Sequence, residues 1–246
     1  MKILACIPAR YSSTRFPAKV LAKKTGKFLI QHTYEQTCLA KLPQEVIIAA
    51  DDERIAEAAK TFGARCIMTS KSCKSGTDRI AQAVAKIRCD IVVNIQADEP
   101  EIEPVSIDKV AKLLVDNPRV PMATLAAPFE NKKQIADPNI VKVIIDKDGF
   151  AIYFSRSVIP YDREEGGIGN IKQYLRHLGI YAYRKDFLLK ITKLPQSQLE
   201  EVEKLEQLRA IENGFKILVG KVNRTCDGID TPKQYAEFVK RFRNKK

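Results

Sequence analysis

The chain has 246 residues, a length that fits one large domain or one domain with a small appendage. Its 45% hydrophobic and 29% charged residues exclude an intrinsically disordered chain, and no run approaches the roughly 20 apolar residues of a membrane span. Forty-two Lys and Arg against 30 Asp and Glu leave a net charge of +12, which points to anionic partners without naming them.

The apolar run before Pro8 is too short for a signal-peptide core of about 7–15 residues, so a cytoplasmic chain with reduced thiols is expected. Six cysteines form no CxxC pair and the two histidines, His32 and His177, stand far apart, so zinc-ligand spacing is absent locally. Residues 2–7, 46–50, 66–69 and 91–95 read as buried strands. Between them, 53–62 places Ile55, Ala58, Ala59 and Phe62 on one helical face ahead of Gly63, and 77–88 repeats the pattern with Ile80, Val84 and Ile87. Strand and helix in alternation predict an α/β fold with a mostly parallel sheet flanked by helices. Ligands bind at the carboxyl ends of such strands, which selects PARYSSTRFPAK, SKSCKSGTDR and QADEP as the segments where chemistry belongs.

The middle of the chain reads differently. Residues 141–145 and 151–154, joined by the DKDG turn, predict a hairpin, and 179–183 predicts a strand that belongs with it. The stretch 161–172, rich in Gly and charge, reads as a mobile surface loop. A single domain over 1–246 is therefore expected, with a smaller strand-rich subdomain over about 130–185. Leu199, Val202, Leu205, Leu208 and Ile211 predict one amphipathic helix ending at Gly214, followed by a strand over 216–222. Thr231 as N-cap and Pro232 at the first helical position open a last helix with Tyr235, Phe238, Val239 and Phe242 inward. Residues 233–246 hold six Lys and Arg against Glu237, the feature on which a nucleic-acid-binding reading would rest.

Arg10, Arg15 and Lys19 lie within ten residues of one another, interleaved with Ser12, Ser13 and Thr14 and stiffened by Pro8 and Pro17. Such a loop can cradle a polyphosphate, or it can be an ordinary basic surface loop. It is no P-loop, for GxxxxGK[ST] is absent. Asp98 and Glu99 follow a buried strand, where a carboxylate needs a cation. Mg2+ shared by Asp98 and the distant Asp230 would meet that need; so would a helix cap near Pro104 or a pair with Arg79. His177 alternates with Gly179, Tyr181 and Tyr183 on one strand face, a placement more usual for a packed histidine than for a catalyst. Glu206 and Gln207 read as solvated helix positions.

IPARYSSTRFPAK, SGTDR, VNIQADEP, MATLAAP, YFSRSVIP, RHLGIYAYR, EKLEQLR and GIDTP together, nearly end to end, resemble the 3-deoxy-manno-octulosonate cytidylyltransferases, the enzymes that make CMP-Kdo. The opening motif is shared with other sugar nucleotidyltransferases; RHLGIYAYR and EKLEQLR point more narrowly to Kdo-type substrates. The resemblance implies a Rossmann-like fold of the nucleotide-diphospho-sugar transferase type and transfer of CMP from CTP to the anomeric hydroxyl of Kdo, for lipopolysaccharide biosynthesis. The related acceptors are 8-amino-Kdo and sialic acids.

By the same resemblance Arg10, Arg15 and Lys19 stabilise the triphosphate, and Asp98 and Asp230 hold Mg2+. Pro8, Ala9, Arg10, Ser75 and Arg79 take the nucleotide, and Gln96, Arg156, His177, Tyr181, Glu206 and Gln207 the sugar. Apart from the resemblance, Arg163 is expected to close over the substrates from its place near the glycine-rich loop. A homodimer formed through the smaller subdomain is implied, with no nucleic-acid partner and no membrane insertion. The family writes PGK and QGDEP where this chain has Ala18 and Ala97; a glycine required at positive φ at either position predicts strain.

Overall fold

A computed structural model of the chain describes residues 1–225 and 227–244; Cys226 and the last two lysines of the basic tail, Lys245 and Lys246, lie outside the described residues. Two compact units emerge. One comprises Met1–Asp108 with the described residues 227–244, the other Lys109–Thr225. The stretch 130–185, expected to be strand-rich, falls within the second.

In the first unit, β1 (Ile3–Ala9), β2 (Glu45–Ala50), β3 (Arg65–Met68) and β4 (Ile91–Asn94) are parallel in the order β3-β2-β1-β4. Parallel strands are covered on both faces, which is why β1 and β4 are apolar runs without alternation. The crossovers use α1 (Leu29–Cys38), α2 (Glu53–Thr61) and α3 (Gly76–Val84). Asp52 caps α2 by accepting from Arg54 N, and Gly63 follows at φ +74°. Helix α3 is shorter than expected, because Ala85–Ile87 tightens into turns before Asp90 N bonds Lys2 O and β4 begins.

The last helix, α9 (Pro232–Asn244), returns to this unit. Thr231 Oγ1 accepts from Gln234 N at 3.3 Å while Gln234 Oε1 accepts from Thr231 N at 2.9 Å, a reciprocal cap on the expected residue. Tyr235, Phe238 and Val239 pack with Leu29 and Ile229, and Phe16 and Phe242 border the cluster. Each large side chain buried there is worth about 1.5–3 kcal/mol. That packing anchors Ile229, and so Asp230, beside the loop after β1.

Helix α4 (Pro104–Asp116) contains the boundary between the units. In the second unit β5 (Met122–Pro128) pairs antiparallel with β8 (Leu175–Arg184) and parallel with β9 (Ile217–Lys221). The expected hairpin is β6 (Lys142–Ile145) and β7 (Ala151–Ser155), with Gly149 in its turn at φ +85° and β6 also pairing with β8. Helices α5 (Lys132–Ala136), α6 (Lys185–Ile191), α7 (Gln198–Glu203) and α8 (Leu208–Glu212) complete the unit. The loop 161–172 lies at the surface with Arg163 exposed, and Asp162 and Gly167 exchange backbone bonds of 2.8 and 2.9 Å across it.

The single helix expected through Leu199 and Ile211 is two. Lys204 adopts a left-handed conformation at φ 53°, and Leu205 N reaches back to Glu200 O. Leu205 and Leu208 are buried, whereas Val202 is 75% exposed. A strict three-residue spacing slips about 60° per step around an α-helix, so five such residues cannot share one face of a straight helix. Arg209 clamps the break, donating to both Glu200 oxygens at 2.8 and 2.6 Å in a buried bidentate pair.

The fold is mixed α/β with a mostly parallel sheet flanked by helices, and among the described residues no helix is long and apolar enough to cross a membrane.

Candidate active site

Pro8 and Ala9 end β1, opposite Ala49 and Ala50 of β2. Arg10 beyond them is exposed. The chain then turns through Ala18, whose φ of 52° and ψ of 29° are left-handed, into a 3-10 turn starting at Lys19. Position 18 thus does ask for positive φ, and alanine meets it at a cost of about 1–2 kcal/mol. Ala97 has no such conformation.

Lys19 is the hub of the site. Its ammonium donates to Asp98 Oδ2 at 2.5 Å, Asp230 Oδ1 at 2.8 Å and Ile229 O at 3.0 Å, which uses all three protons. Arg15 adds a 3.0 Å contact to Asp230 Oδ2. Asp98 O accepts from Ile229 N at 2.8 Å, so the backbones of the two acidic segments are joined as well. Partial burial alone would raise the Asp230 carboxyl; bonding and charge from Lys19, reinforced by Arg15, outweigh it and hold the group below its ordinary range. Asp98 and Asp230, two carboxylates brought to one point, are the side chains that could hold Mg2+, which commonly takes one or two protein carboxylates along with phosphate oxygens. Among the described residues no group of three or more His, Cys, Asp or Glu is placed to hold a metal.

At the third strand end, Ser75 caps α3 by accepting from Asp78 N at 3.1 Å, and Gly76 sits against Pro8, its virtual Cβ 3.5 Å from the proline ring. Arg79 does not pair with Asp98. Its guanidinium is buried against Asp51 and Thr69 at 3.0 and 2.7 Å. Asp51 and Thr69 carry no motif in the sequence; lying just past β2 and β3 is the one signal that could have found them. Gln96, half-buried, accepts from Glu99 N in the turn after β4.

The second unit holds the other residues matched to a sugar. β8 carries two more residues than β5 between the pairs Leu178–Leu125 and Tyr181–Thr124, and an excess of two preserves the face of each side chain. His177, Tyr181 and Tyr183 therefore share the expected face, with ring centroids 5.5 and 5.9 Å apart in succession. Thr124 Oγ1 fills the bulge, lying 2.7 Å from Ile180 O and 3.0 Å from His177 Nε2. Burial depresses His177 to about 3, leaving an uncharged ring at neutral pH. Tyr181 OH donates to Gln207 Oε1 at 3.1 Å.

Gln207, expected in solvent, is only 4% exposed because it sits in the break between α7 and α8, and its Nε2 is buried without a hydrogen-bond partner. Such an orphan donor, on the amide whose oxygen accepts from Tyr181, suits a ligand oxygen. Glu206 is exposed, as expected. Arg156 is spent largely within the fold, donating through Nε to Glu203 O at 2.7 Å and through NH1 to Pro138 O at 3.0 Å.

A family model described as Cytidylyltransferase matches residues 4–217. A 3-deoxy-manno-octulosonate cytidylyltransferase of Solibacter usitatus is 48% identical, over 98% of this chain and 95% of its own length. One of Geobacter sulfurreducens is 44% identical over 99% and 100%. Among solved structures, a CMP:2-keto-3-deoxy-manno-octonic acid synthetase complexed with CTP superposes with a TM-score of 0.94 at 39% identity, covering all of both chains.

Proposed function

The chain belongs to the 3-deoxy-manno-octulosonate cytidylyltransferase family, and from that premise we propose that it transfers CMP from CTP to the anomeric hydroxyl of Kdo, releasing pyrophosphate. The product, CMP-Kdo, serves lipopolysaccharide biosynthesis. The geometric observation that supports this reading most directly is the meeting of Asp98 and Asp230 at the Lys19 ammonium, in the turn that also carries Arg15.

The anomeric oxygen attacks the α-phosphorus in line, the bond from that phosphorus to the bridging oxygen breaks with its electron pair leaving on pyrophosphate, and the hydroxyl proton passes to bulk water. Negative charge grows on the leaving pyrophosphate, where Arg10, Arg15 and Lys19 stabilise it. Lys19 must trade at least one carboxylate or carbonyl contact for a phosphate oxygen, since its donors are all engaged. Asp98 and Asp230 would hold Mg2+, which supplies Lewis-acid neutralisation of phosphate charge. Pro8, Ala9, Ser75 and Arg79 face the base end of the nucleotide. Gln96, Arg156, His177, Tyr181, Glu206 and Gln207 serve the acidic sugar. His177, uncharged and too weakly basic to take the hydroxyl proton, acts there through hydrogen bonding. The enzyme works in the cytoplasm as a homodimer in this account.

Pyrophosphate release measured with CTP, UTP and ATP, each against Kdo, 8-amino-Kdo and N-acetylneuraminate, tests the reading. CTP with Kdo should exceed every other combination at least tenfold. A faster rate with 8-amino-Kdo would reassign the acceptor, and no release from CTP with any acceptor would end the proposal.

A further inference from the structure

We infer that Asp51 is a positioning residue that sets the shape of the nucleotide site and with it the preference for CTP; the inference rests on the cytidylyltransferase reading above. Both oxygens of its carboxylate are used. Oδ1 accepts from Tyr11 N at 2.9 Å, and Oδ2 accepts from Arg79 NH2 at 3.0 Å. Arg79 NH1 donates to Thr69 Oγ1 at 2.7 Å, and that hydroxyl donates to Ala50 O at 2.9 Å. One carboxylate thus joins the turn after β1, the end of β2, the end of β3 and the first turn of α3. These are the segments that carry Arg10 and Arg15 on one side and Ser75 and Arg79 on the other.

The pair is nearly dry, with side-chain exposures of 5% for Arg79 and 13% for Asp51. A guanidinium so buried is strongly destabilised when its carboxylate is removed, so it leaves its place rather than remain unpaired. Asp52 supplies a second hold on the same turn. It grips Arg54 through Nε and NH2 at 2.7 and 2.8 Å, and the Arg54 guanidinium lies 3.5 Å from the centroid of the Tyr11 ring. Tyr11 is therefore fixed by its backbone to Asp51 and by its ring, through Arg54, to Asp52. Because Tyr11 directly follows Arg10, freeing it re-aims the first cation of the phosphate loop. Asp51 itself contacts no substrate in this account; it acts through Tyr11 and Arg79.

The test compares wild type, Asp51→Asn and Thr69→Val as full chains. CTP and Kdo are varied separately in steady-state kinetics, CTP and UTP binding are measured by calorimetry without Kdo, and thermal melting reports folding. Asp51→Asn keeps an acceptor for Tyr11 N but removes the charge opposite Arg79. It should raise the KM and Kd for CTP at least tenfold, change the KM for Kdo less than twofold, and cut discrimination against UTP at least tenfold. Thr69→Val, which removes one Arg79 contact at nearly constant volume, should raise the KM for CTP at least threefold. A purely structural Asp51 would lower kcat with the folded fraction and leave the CTP to UTP ratio alone. A folded Asp51→Asn with that ratio and the CTP KM within twofold of wild type overturns the inference. If Asp51→Asn does not fold, an unchanged CTP KM in Thr69→Val overturns it. Failure of the wild type itself to bind CTP would instead sink the cytidylyltransferase reading, and the inference with it.

Discussion

Mild acid should weaken the fold through His177, by an amount the structure allows to be worked out. The ring is buried against Phe154 at 4.8 Å and Tyr181 at 5.5 Å, and burial lowers its pKa from 6.5 to about 3. Below pH 6.5 the unfolded chain binds a proton at this position that the folded chain refuses. Its contribution to stability is therefore complete above 6.5 and is lost as pH falls from 6.5 toward 3. The loss is about 1.4 kcal/mol per pH unit in that window, hence about 2 kcal/mol between pH 7.5 and pH 5. Urea unfolding followed by circular dichroism at those two pH values, in wild type and in His177→Gln, isolates the effect. Gln can still meet the Thr124 hydroxyl, and every other titrating group, including the buried His32, is common to both proteins. The wild type should lose about 2 kcal/mol more than the variant. Equal losses, within about 0.5 kcal/mol, would refute the claim that burial keeps this ring neutral.

Removing one member of the Glu200–Arg209 pair, as in Glu200→Ala, should cost about 3–5 kcal/mol by urea unfolding, and the KM for Kdo should rise more than that for CTP because Gln207 sits between the two helices the pair joins. At position 18, Ala→Gly should raise stability by up to about 1 kcal/mol, the gain from relieving the left-handed backbone being partly offset by a freer unfolded chain, whereas Ala→Val should lower it by about 1 kcal/mol or more; thermal melts distinguish the two.

Features governed by local rules were legible in the sequence. The parallel strands declared themselves as unbroken apolar runs, the 146–149 turn by DKDG, and the last helix by Thr231 and Pro232. Features set by long-range pairing were not. MATLAAP forms β5 although its three alanines have little strand propensity, because β8 and β9 flank it on either side. Lys204 ends α7 in a conformation usually given to glycine, so no Gly or Pro marks the break that buries Gln207. Asp98 was marked by its place after a buried strand, but its pairing with Asp230 stayed one alternative among several until the family likeness was weighed, since nothing local in the 131 intervening positions says that they share a lysine. Asp51 was missed for the same reason, its partners lying 40 and 28 residues away.

Pyrophosphate release from CTP and Kdo in the presence of Mg2+, by wild type, Asp98→Asn and Asp230→Asn, with folding checked by circular dichroism, bears most directly on the two carboxylates. Each variant should stay folded and lose roughly a hundredfold or more in kcat, the scale expected when one element of transition-state charge stabilisation is removed. Folded variants turning over within threefold of the wild-type rate would contradict the assignment.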